Sequence, residues 1–212
     1  MALSFGESKG SALKNSVDAF VFKNGDNKMR IVDNILARYV YWVEGENKKN
    51  IPIECLAFDR NAEAFNNKEK DWVPVFYPDL KCQWSYMVQC IDDGKIKVVN
   101  LKKKLWQQII TAAKDLGDPT NPDTGWDICF ERAKTGPNVF NVEYTLQVLK
   151  CQKAVRPLTA AEKAIMKDLK SMDDVMPRPT PESQKEFLER IRDANGPKET
   201  DKETVAEEFD VS

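Results

Sequence analysis

Residues 125–150 constrain the fold more than any other part of the chain. Two runs of alternating apolar and polar residues lie on either side of a Lys-Thr-Gly-Pro-Asn sequence. Alternation with a period of two is typical of half-buried strands. Gly136 can take a positive φ and Pro137 fixes its own φ, so the middle sequence has the chemistry of a turn. The segment therefore predicts a β-hairpin. Its first strand places these residues on one face: Trp126, Ile128, Phe130 and Arg132.

Aromatic and basic side chains lie near the ends of both runs of this hairpin. Flat aromatic faces can stack against unpaired bases, and cations can hold phosphates, so one interpretation is a hairpin that contacts a nucleic acid. The other interpretation is an ordinary hydrophobic hairpin whose charged residues are simply solvated. The segment alone leaves both open.

The rest of the chain predicts more short strands, one helix before the last strand pair, and helices at the C-terminal end. An Asp-Asp-Gly-Lys sequence at 92–95 predicts a second tight hairpin, and Thr159 with Glu162 has the spacing of a capping box. This layout predicts a mostly β or α+β fold, namely an OB-fold-like barrel with an inserted helix. The predicted strands outside the hairpin cover 29–43, 51–58, 84–91 and 96–99, and the predicted helices cover 101–116, 159 to about 172, and 180–192.

Composition limits the possible functions. The chain has 212 residues, of which 42% are hydrophobic and 31% charged, as in a globular protein with one substantial core. No apolar run reaches the roughly 20 residues of a membrane span. There is no histidine, which removes the commonest general base and metal ligand. The five cysteines are widely spaced without a C-x-x-C pair, so we expect free thiols and no metal or cofactor.

Charge is distributed unevenly along the chain. From Asp193 to the end there are 7 acidic residues and 2 lysines, although the net charge of the whole chain is only −2. An acidic end on a mildly basic body is typical of a tail that is separate from the folded core. We therefore divide the chain into four parts: a flexible arm (1–19), a barrel core (20–156), a helical segment (157–194) and a disordered acidic tail (195–212).

Four motifs, in order, resemble one protein family. They are KNGDNKMRIVD, SYMVQCIDDGKIKVVNLKKKLWQQI, GDPTNPDTGWDI and the KTG…VEYTLQV hairpin. Together they are similar to the replication single-stranded DNA (ssDNA)-binding proteins of large tailed bacteriophages. The likeness covers roughly residues 20–150, and the acidic C-terminus extends it.

The resemblance implies an OB-fold core that binds ssDNA without sequence preference and coats and protects it during replication, recombination and repair. It also implies a protein of the infected bacterial cytoplasm that associates with itself on DNA. Its acidic tail would recruit replication and recombination proteins, and we expect no enzymatic activity. The tail residues expected to bind partners are Glu207, Glu208, Phe209 and Asp210.

The chain departs from the family pattern in two places. Well-known members hold a structural zinc through cysteines and a histidine, whereas residues 44–83 contain only Cys55 and Cys82 as candidate ligands. We therefore expect no zinc. The basic N-terminal arm that gives those proteins cooperativity is reduced here to Lys9 and Lys14.

The candidate ssDNA contacts are cations for phosphates and aromatic rings for bases. The cations are Lys28, Arg30, Arg38, Lys102, Lys103, Arg132 and Lys134, and the rings are Tyr41, Trp42, Trp84, Tyr86, Phe140 and Tyr144. Several mid-strand rings could equally belong to a hydrophobic core. Two other functions stay open: a phage protein-interaction module that docks through the helices at 159–192, and a metal-dependent nuclease. The acids available to a nuclease lie in turns, which explains them without catalysis.

Overall fold

A computed structural model describes residues 17–45, 48–138 and 141–195. Within these residues the fold is mixed α/β, with a six-stranded sheet, a three-stranded sheet and helices packed on both. The strands are β1 (Asp18–Ala19), β2 (Gly25–Ile31), β3 (Tyr39–Glu44), β4 (Asn50–Glu54), β5 (Gln83–Trp84), β6 (Tyr86–Asp92), β7 (Lys95–Leu101), β8 (Ile128–Lys134) and β9 (Val142–Leu146). The helices are α1 (Val73–Phe76), α2 (Lys103–Leu116), α3 (Val148–Lys153), α4 (Ala160–Ile165), α5 (Met172–Val175) and α6 (Pro181–Asn195).

The six-stranded sheet has the order β1-β7-β6-β2-β8-β9. All its pairs are antiparallel except that of β1 with β7. The predicted hairpin at 92–95 is confirmed: β6 and β7 join through Asp93 and Gly94, both with positive φ. The predicted hairpin around residue 136 is likewise confirmed as β8 and β9. Its second strand ends at Leu146, and the chain turns into α3 two residues later, which the alternating pattern did not predict.

Helix α2 packs across this sheet and closes its core. Leu105, Ile109 and Ala112 are spaced by four and three residues, so they fall on one helical face, and all three are buried. They join apolar residues from β2, β6, β7, β8 and β9 in the largest hydrophobic cluster, together with the fully buried Trp126.

A closed barrel is not formed among the described strands. Closure would require β9 to pair with β7, but the outer edge of β7 is taken by β1, and Phe20 N donates to Val98 O at 2.8 Å. The segment that follows β1 crosses the gap instead, and the Phe22 ring meets the Tyr144 ring of β9 at 5.3 Å. The two ends of the sheet are therefore bridged by aromatic side chains rather than by backbone hydrogen bonds.

The three-stranded sheet has the order β4-β3-β5 and forms a second lobe inserted between β2 and β6. The long strand predicted at 29–43 is wrong, because β2 ends at Ile31 and β3 begins only at Tyr39. Between them Asp33 Oδ1 accepts from Asn34 N at 2.7 Å, a local contact typical of turns. The lobe has its own core, to which α6 contributes Leu188 and Ile191.

The C-terminal helices pack back onto both sheets. The capping box of Thr159 and Glu162 is confirmed at the start of α4, and Pro181 opens α6 as predicted. The single helix expected from 159 to about 172 is instead α4, a 3₁₀ turn at 166–168 and the separate α5, which begins at the N-cap Ser171. None of the helices in the described part of the chain is long and apolar enough to cross a membrane.

Candidate nucleic-acid interface

Helix α2 begins with three consecutive lysines. Lys102 is the N-cap and Lys103 and Lys104 open the first turn, which contains no acidic residue and no side-chain cap. Cations at this end oppose the helix dipole by a few tenths of a kcal/mol each. Helix stability therefore does not account for them, whereas the free N–H groups of a helix N-terminus and nearby cations together favour a bound anion.

Lys102 belongs to a cluster of aromatic and basic groups. Its Nζ lies 5.7 Å from the centre of the Phe22 ring, and Phe22 packs edge-on against Tyr144. The Tyr144 hydroxyl accepts from Arg132 Nε at 3.4 Å, and Arg132 also donates to Asn24 Oδ1. Cross-strand pairing of Arg132 with Tyr144 holds these two side chains on one face of the β8–β9 hairpin.

Lys103 lies beside a second pair of aromatic rings, Trp84 and Tyr86. Its Nζ lies 5.9 Å from the centre of Trp84, and Trp84 stacks on Tyr86 with ring centres 3.5 Å apart and planes 13° apart. Trp84 Nε1 donates to Leu101 O at 3.3 Å, which ties the ring to the end of β7. The half-buried indole thus lies beside the start of α2.

We call these six residues the aromatic–cationic strip: Phe22, Trp84, Lys102, Lys103, Arg132 and Tyr144. None of its three cations forms an ion pair with a carboxylate among the described residues. Lys134 extends the strip, because it is exposed, lies two residues beyond Arg132 on the same face and has no ion-pair partner in the same described ranges. Desolvation lowers the pKa of Lys102, and the neighbouring cation Arg132 lowers it further. A bound anion would relieve this crowding of like charges.

Two predicted phosphate contacts on β2 are engaged within the protein. Arg30 is 1% exposed, and its Nη2 donates to Asn121 O at 2.7 Å and to Arg156 O at 3.3 Å. Lys28 is exposed, but its Nζ lies 2.8 Å from the buried Asp127 carboxylate. Arg156 pairs with the same carboxylate at 3.1 Å. The cations on this face of β2 therefore serve an internal charge network.

The predicted contacts on β3 and at Arg38, the residue before it, lie mostly inside the second lobe. Arg38 is 8% exposed. Tyr41 is buried, with its hydroxyl 3.2 Å from Asp71 Oδ2 and 3.4 Å from Cys55 Sγ, and burial raises the pKa of Tyr41. Trp42 is 38% exposed and lines a cleft with Phe76 and Leu80, apart from the aromatic–cationic strip.

The remaining candidate rings divide between core and surface. Tyr86 is buried beneath Trp84, and its hydroxyl donates to Glu63 Oε2 at 2.5 Å. Tyr144 is 9% exposed, so its ring packs against Phe22 and has no exposed face on which a base could stack. Phe140 and the four tail candidates, Glu207, Glu208, Phe209 and Asp210, lie outside the described residues.

Phe22 is the member of the strip that the sequence patterns did not single out. Phe20 and Phe22 alternate directly before the Asn24-Gly25 turn, and this spacing was the available signal. In the structure Phe20 faces the core and meets the edge of the half-buried Phe22 at 5.1 Å.

The open sheet, the aromatic rings and the unpaired cations together define a surface with the chemistry of a single-strand-binding protein. The chain is 28% identical to a protein of Escherichia phage T5 called a probable ssDNA-binding protein, over an alignment of 239 positions that covers 95% of this chain and 91% of that relative. No family model matches the chain. The comparison confirms the resemblance to phage ssDNA-binding proteins that the four motifs indicated.

Proposed function

We propose that the chain is a sequence-independent ssDNA-binding protein. The observation that carries this proposal is the aromatic–cationic strip, where cations without carboxylate partners lie beside aromatic rings. The name and nearly full-length coverage of the phage T5 relative support it.

In this proposal phosphates contact Lys102, Lys103, Arg132 and Lys134, and bases stack on Trp84 and Phe22. Every base has a flat face, so stacking tolerates any sequence, and each stack contributes on the order of 1–3 kcal/mol. The Asn24 side-chain oxygen beside the strip already accepts from Arg132. Binding by stacking and phosphate contacts does not require recognition of base edges.

We assign the main sheet to the OB type. Strands β2, β6, β7, β8 and β9 form its five-stranded set, with α2 between the third and fourth, and a partly open barrel is compatible with that class. The barrel core at 20–156 then carries the DNA, with the β3–β5 lobe as an insertion. We keep the other boundaries proposed from the sequence, with an arm at 1–19, a helical segment at 157–194 and an acidic tail at 195–212.

The biological role we propose is to coat and protect ssDNA during phage replication, recombination and repair in the cytoplasm of the infected bacterium. The protein acts by binding and not as an enzyme. It associates with itself on DNA, and the acidic tail recruits replication and recombination proteins.

The direct test is the binding of fluorescein-labelled oligo-dT, followed by anisotropy. We expect saturable binding that unlabelled oligo-dA and oligo-dC displace and duplex DNA displaces poorly. The double variant Lys102→Gln/Lys103→Gln should bind more weakly by 10-fold or more, because each charge-assisted contact contributes roughly 1.5 kcal/mol or more and about 1.4 kcal/mol is a factor of ten. The control Lys163→Gln removes an exposed lysine paired with Asp123 and should bind normally. Equal losses in both variants would contradict the proposal.

One observation favours a protein-interaction module as the alternative. A groove of about 430 Å³ lies between α2 and the end of β9, lined by Gln108, Thr111, Leu146 and Val148, and both Val148 and the neighbouring Leu149 are exposed. Under this alternative, Val148→Ser/Leu149→Ser would abolish partner binding, and oligo-dT would leave tryptophan fluorescence unchanged.

A further inference from the structure

A loop of the second lobe presents an exposed phenylalanine, Phe65. Its ring is 57% exposed, the highest fraction of any aromatic residue in the described part of the chain. A single exposed apolar residue is ordinary on a protein surface. Its setting, rather than its exposure, therefore decides whether it has a function.

The loop that carries Phe65 is held in place by backbone and ring contacts. Asp59 N donates to Ala64 O at 2.8 Å, which closes the loop directly before the ring. The ring itself packs edge-on against Tyr39 and Phe58, with ring centres 4.9 and 5.1 Å apart. Because these contacts already fix the ring, a ligand that stacks on it has little left to order.

Phe65 lies on the same face of the second lobe as Trp84 of the aromatic–cationic strip. Tyr39 and Trp84 are Cα partners in the β3–β5 pair, so their side chains share one face of the three-stranded sheet. Tyr86 stacks beneath Trp84, and its hydroxyl donates to Glu63 Oε2, two residues before Phe65. The aromatic surface therefore continues from the strip to Phe65.

The distance between Phe65 and Trp84 matches a few nucleotides. Directly paired strand residues lie about 5 Å apart, and the ring centres of Tyr39 and Phe65 are 4.9 Å apart. The path from Trp84 to Phe65 is therefore on the order of 10 Å, or about three stacked nucleotides at about 3.4 Å each. A single strand that stacks one base on Trp84 can place another on Phe65.

The surroundings of Phe65 suit a base rather than a phosphate. Within the described ranges no lysine or arginine lies over this ring. The neighbouring Glu63 carboxylate is exposed and repels a phosphate. A flat apolar ring still accepts any base, and because such a stack involves no ion pair, it adds affinity without adding salt dependence.

We propose that Phe65 is a third base-stacking residue, which extends the ssDNA interface from the aromatic–cationic strip along the second lobe. This inference rests on the proposed function, because its ligand is the same single strand. Trp84 stacks a base beside the cation Lys103, whereas Phe65 stacks a base without a phosphate contact of its own.

The first experiment measures the anisotropy of labelled oligo-dT with the parent, Phe65→Ser and the control Val75→Ser. Val75 is 55% exposed on α1 of the same lobe and takes part in none of the contacts described above. We expect Phe65→Ser to bind about 10-fold more weakly, which corresponds to about 1.4 kcal/mol and is typical of one base–aromatic stack. Val75→Ser should bind like the parent. The salt slope should be the same in all three, because neither substitution removes a charge.

The second experiment detects the base directly. Phe65→Trp keeps a flat ring at this position and adds a tryptophan whose fluorescence a stacked base quenches. With oligo-dT in excess over protein, we expect quenching of the added signal in Phe65→Trp but not in the control Val75→Trp. Phe65→Trp should also retain the parent affinity.

Several outcomes would overturn the proposal. Parent affinity in Phe65→Ser would show that the ring contacts no base, and a smaller salt slope would trace the loss to disturbed cations. Equal quenching in Phe65→Trp and Val75→Trp would count against a stack at this position. Quenching only with protein in excess over DNA would place a second copy of the chain on Phe65.

Failure of this inference is distinguishable from failure of the proposed function. If the parent does not bind oligo-dT, the proposed function is refuted. If Lys102→Gln/Lys103→Gln weakens binding and Phe65→Ser does not, only the role of Phe65 is refuted. If Phe65→Ser fails to fold, the quenching of Phe65→Trp decides.

Discussion

The salt dependence of ssDNA binding tests how many cations contact phosphates. For single strands, the slope of log K against log salt is about −0.7 per neutralised phosphate. The four cations proposed from the structure, Lys102, Lys103, Arg132 and Lys134, give a slope of about −2.8, so affinity should fall about 50-fold between 50 and 200 mM salt. The seven cations chosen from sequence would give about −4.9 and a fall of nearly 1,000-fold.

Lys102→Gln should change that slope to about −2.1, reducing the fall to about 20-fold over the same range. Lys163→Gln is the matched control and should keep the parent slope. The Lys163 ammonium, on α4, already pairs with Asp123 at 3.1 Å, so we do not expect it to contact a phosphate. The assay is fluorescence anisotropy of labelled oligo-dT at five or more salt concentrations. A parent slope near −4.9, or a slope that Lys102→Gln leaves unchanged, would refute the assignment of phosphates to the strip.

Other predictions test the base contacts, the acid stability and the packing. Trp84→Phe should abolish most of the quenching of tryptophan fluorescence by oligo-dT, whereas Trp42→Phe should retain it; the reverse result would move the stacking site to the second lobe. The Arg156 side chain lowers the pKa of Glu162 to about 2. Its unfolded pKa is about 4.3, so the ionised group stabilises the fold above that value, and on the order of 3 kcal/mol is lost as pH falls towards 2. Urea unfolding should show about 1.7 kcal/mol of this loss between pH 6 and pH 3 in the parent and a smaller loss in Glu162→Gln; equal losses would contradict it. Gly125→Ala would place a Cβ within 2.6 Å of two loop carbonyl oxygens and should lower the free energy of unfolding by about 1–3 kcal/mol; a thermal denaturation midpoint at the parent value would contradict this.

Elements controlled by neighbours in sequence were predictable. The turn at Asp93 and Gly94 depends on backbone conformations that those residues favour, and the capping box at Thr159 satisfies the first N–H groups of its own helix. The buried stripe of α2 follows from its spacing alone. The single strand predicted at 29–43 was wrong because the apolar alternation continued past Ile31, whereas the polar turn at Asp33 ended the strand.

The candidate site depended more on tertiary structure. Alternation assigns a strand residue to one of two faces, but it does not say what covers each face. Arg30 is buried because the Asn121 loop and Arg156, distant in sequence, close over it. Phe22 and Lys102 come together because β1 pairs with the edge of β7 and carries the following residues across to β9.

The sequence by itself determined the hairpins, the amphipathic helix, the charge asymmetry and the resemblance to phage ssDNA-binding proteins. Tertiary structure decided which cations have no carboxylate partner among the described residues, which rings remain at the surface and that Arg38 is buried. The physical reason is that local propensities act between near neighbours, whereas desolvation and ion pairing depend on contacts between residues as far apart as Arg30 and Arg156.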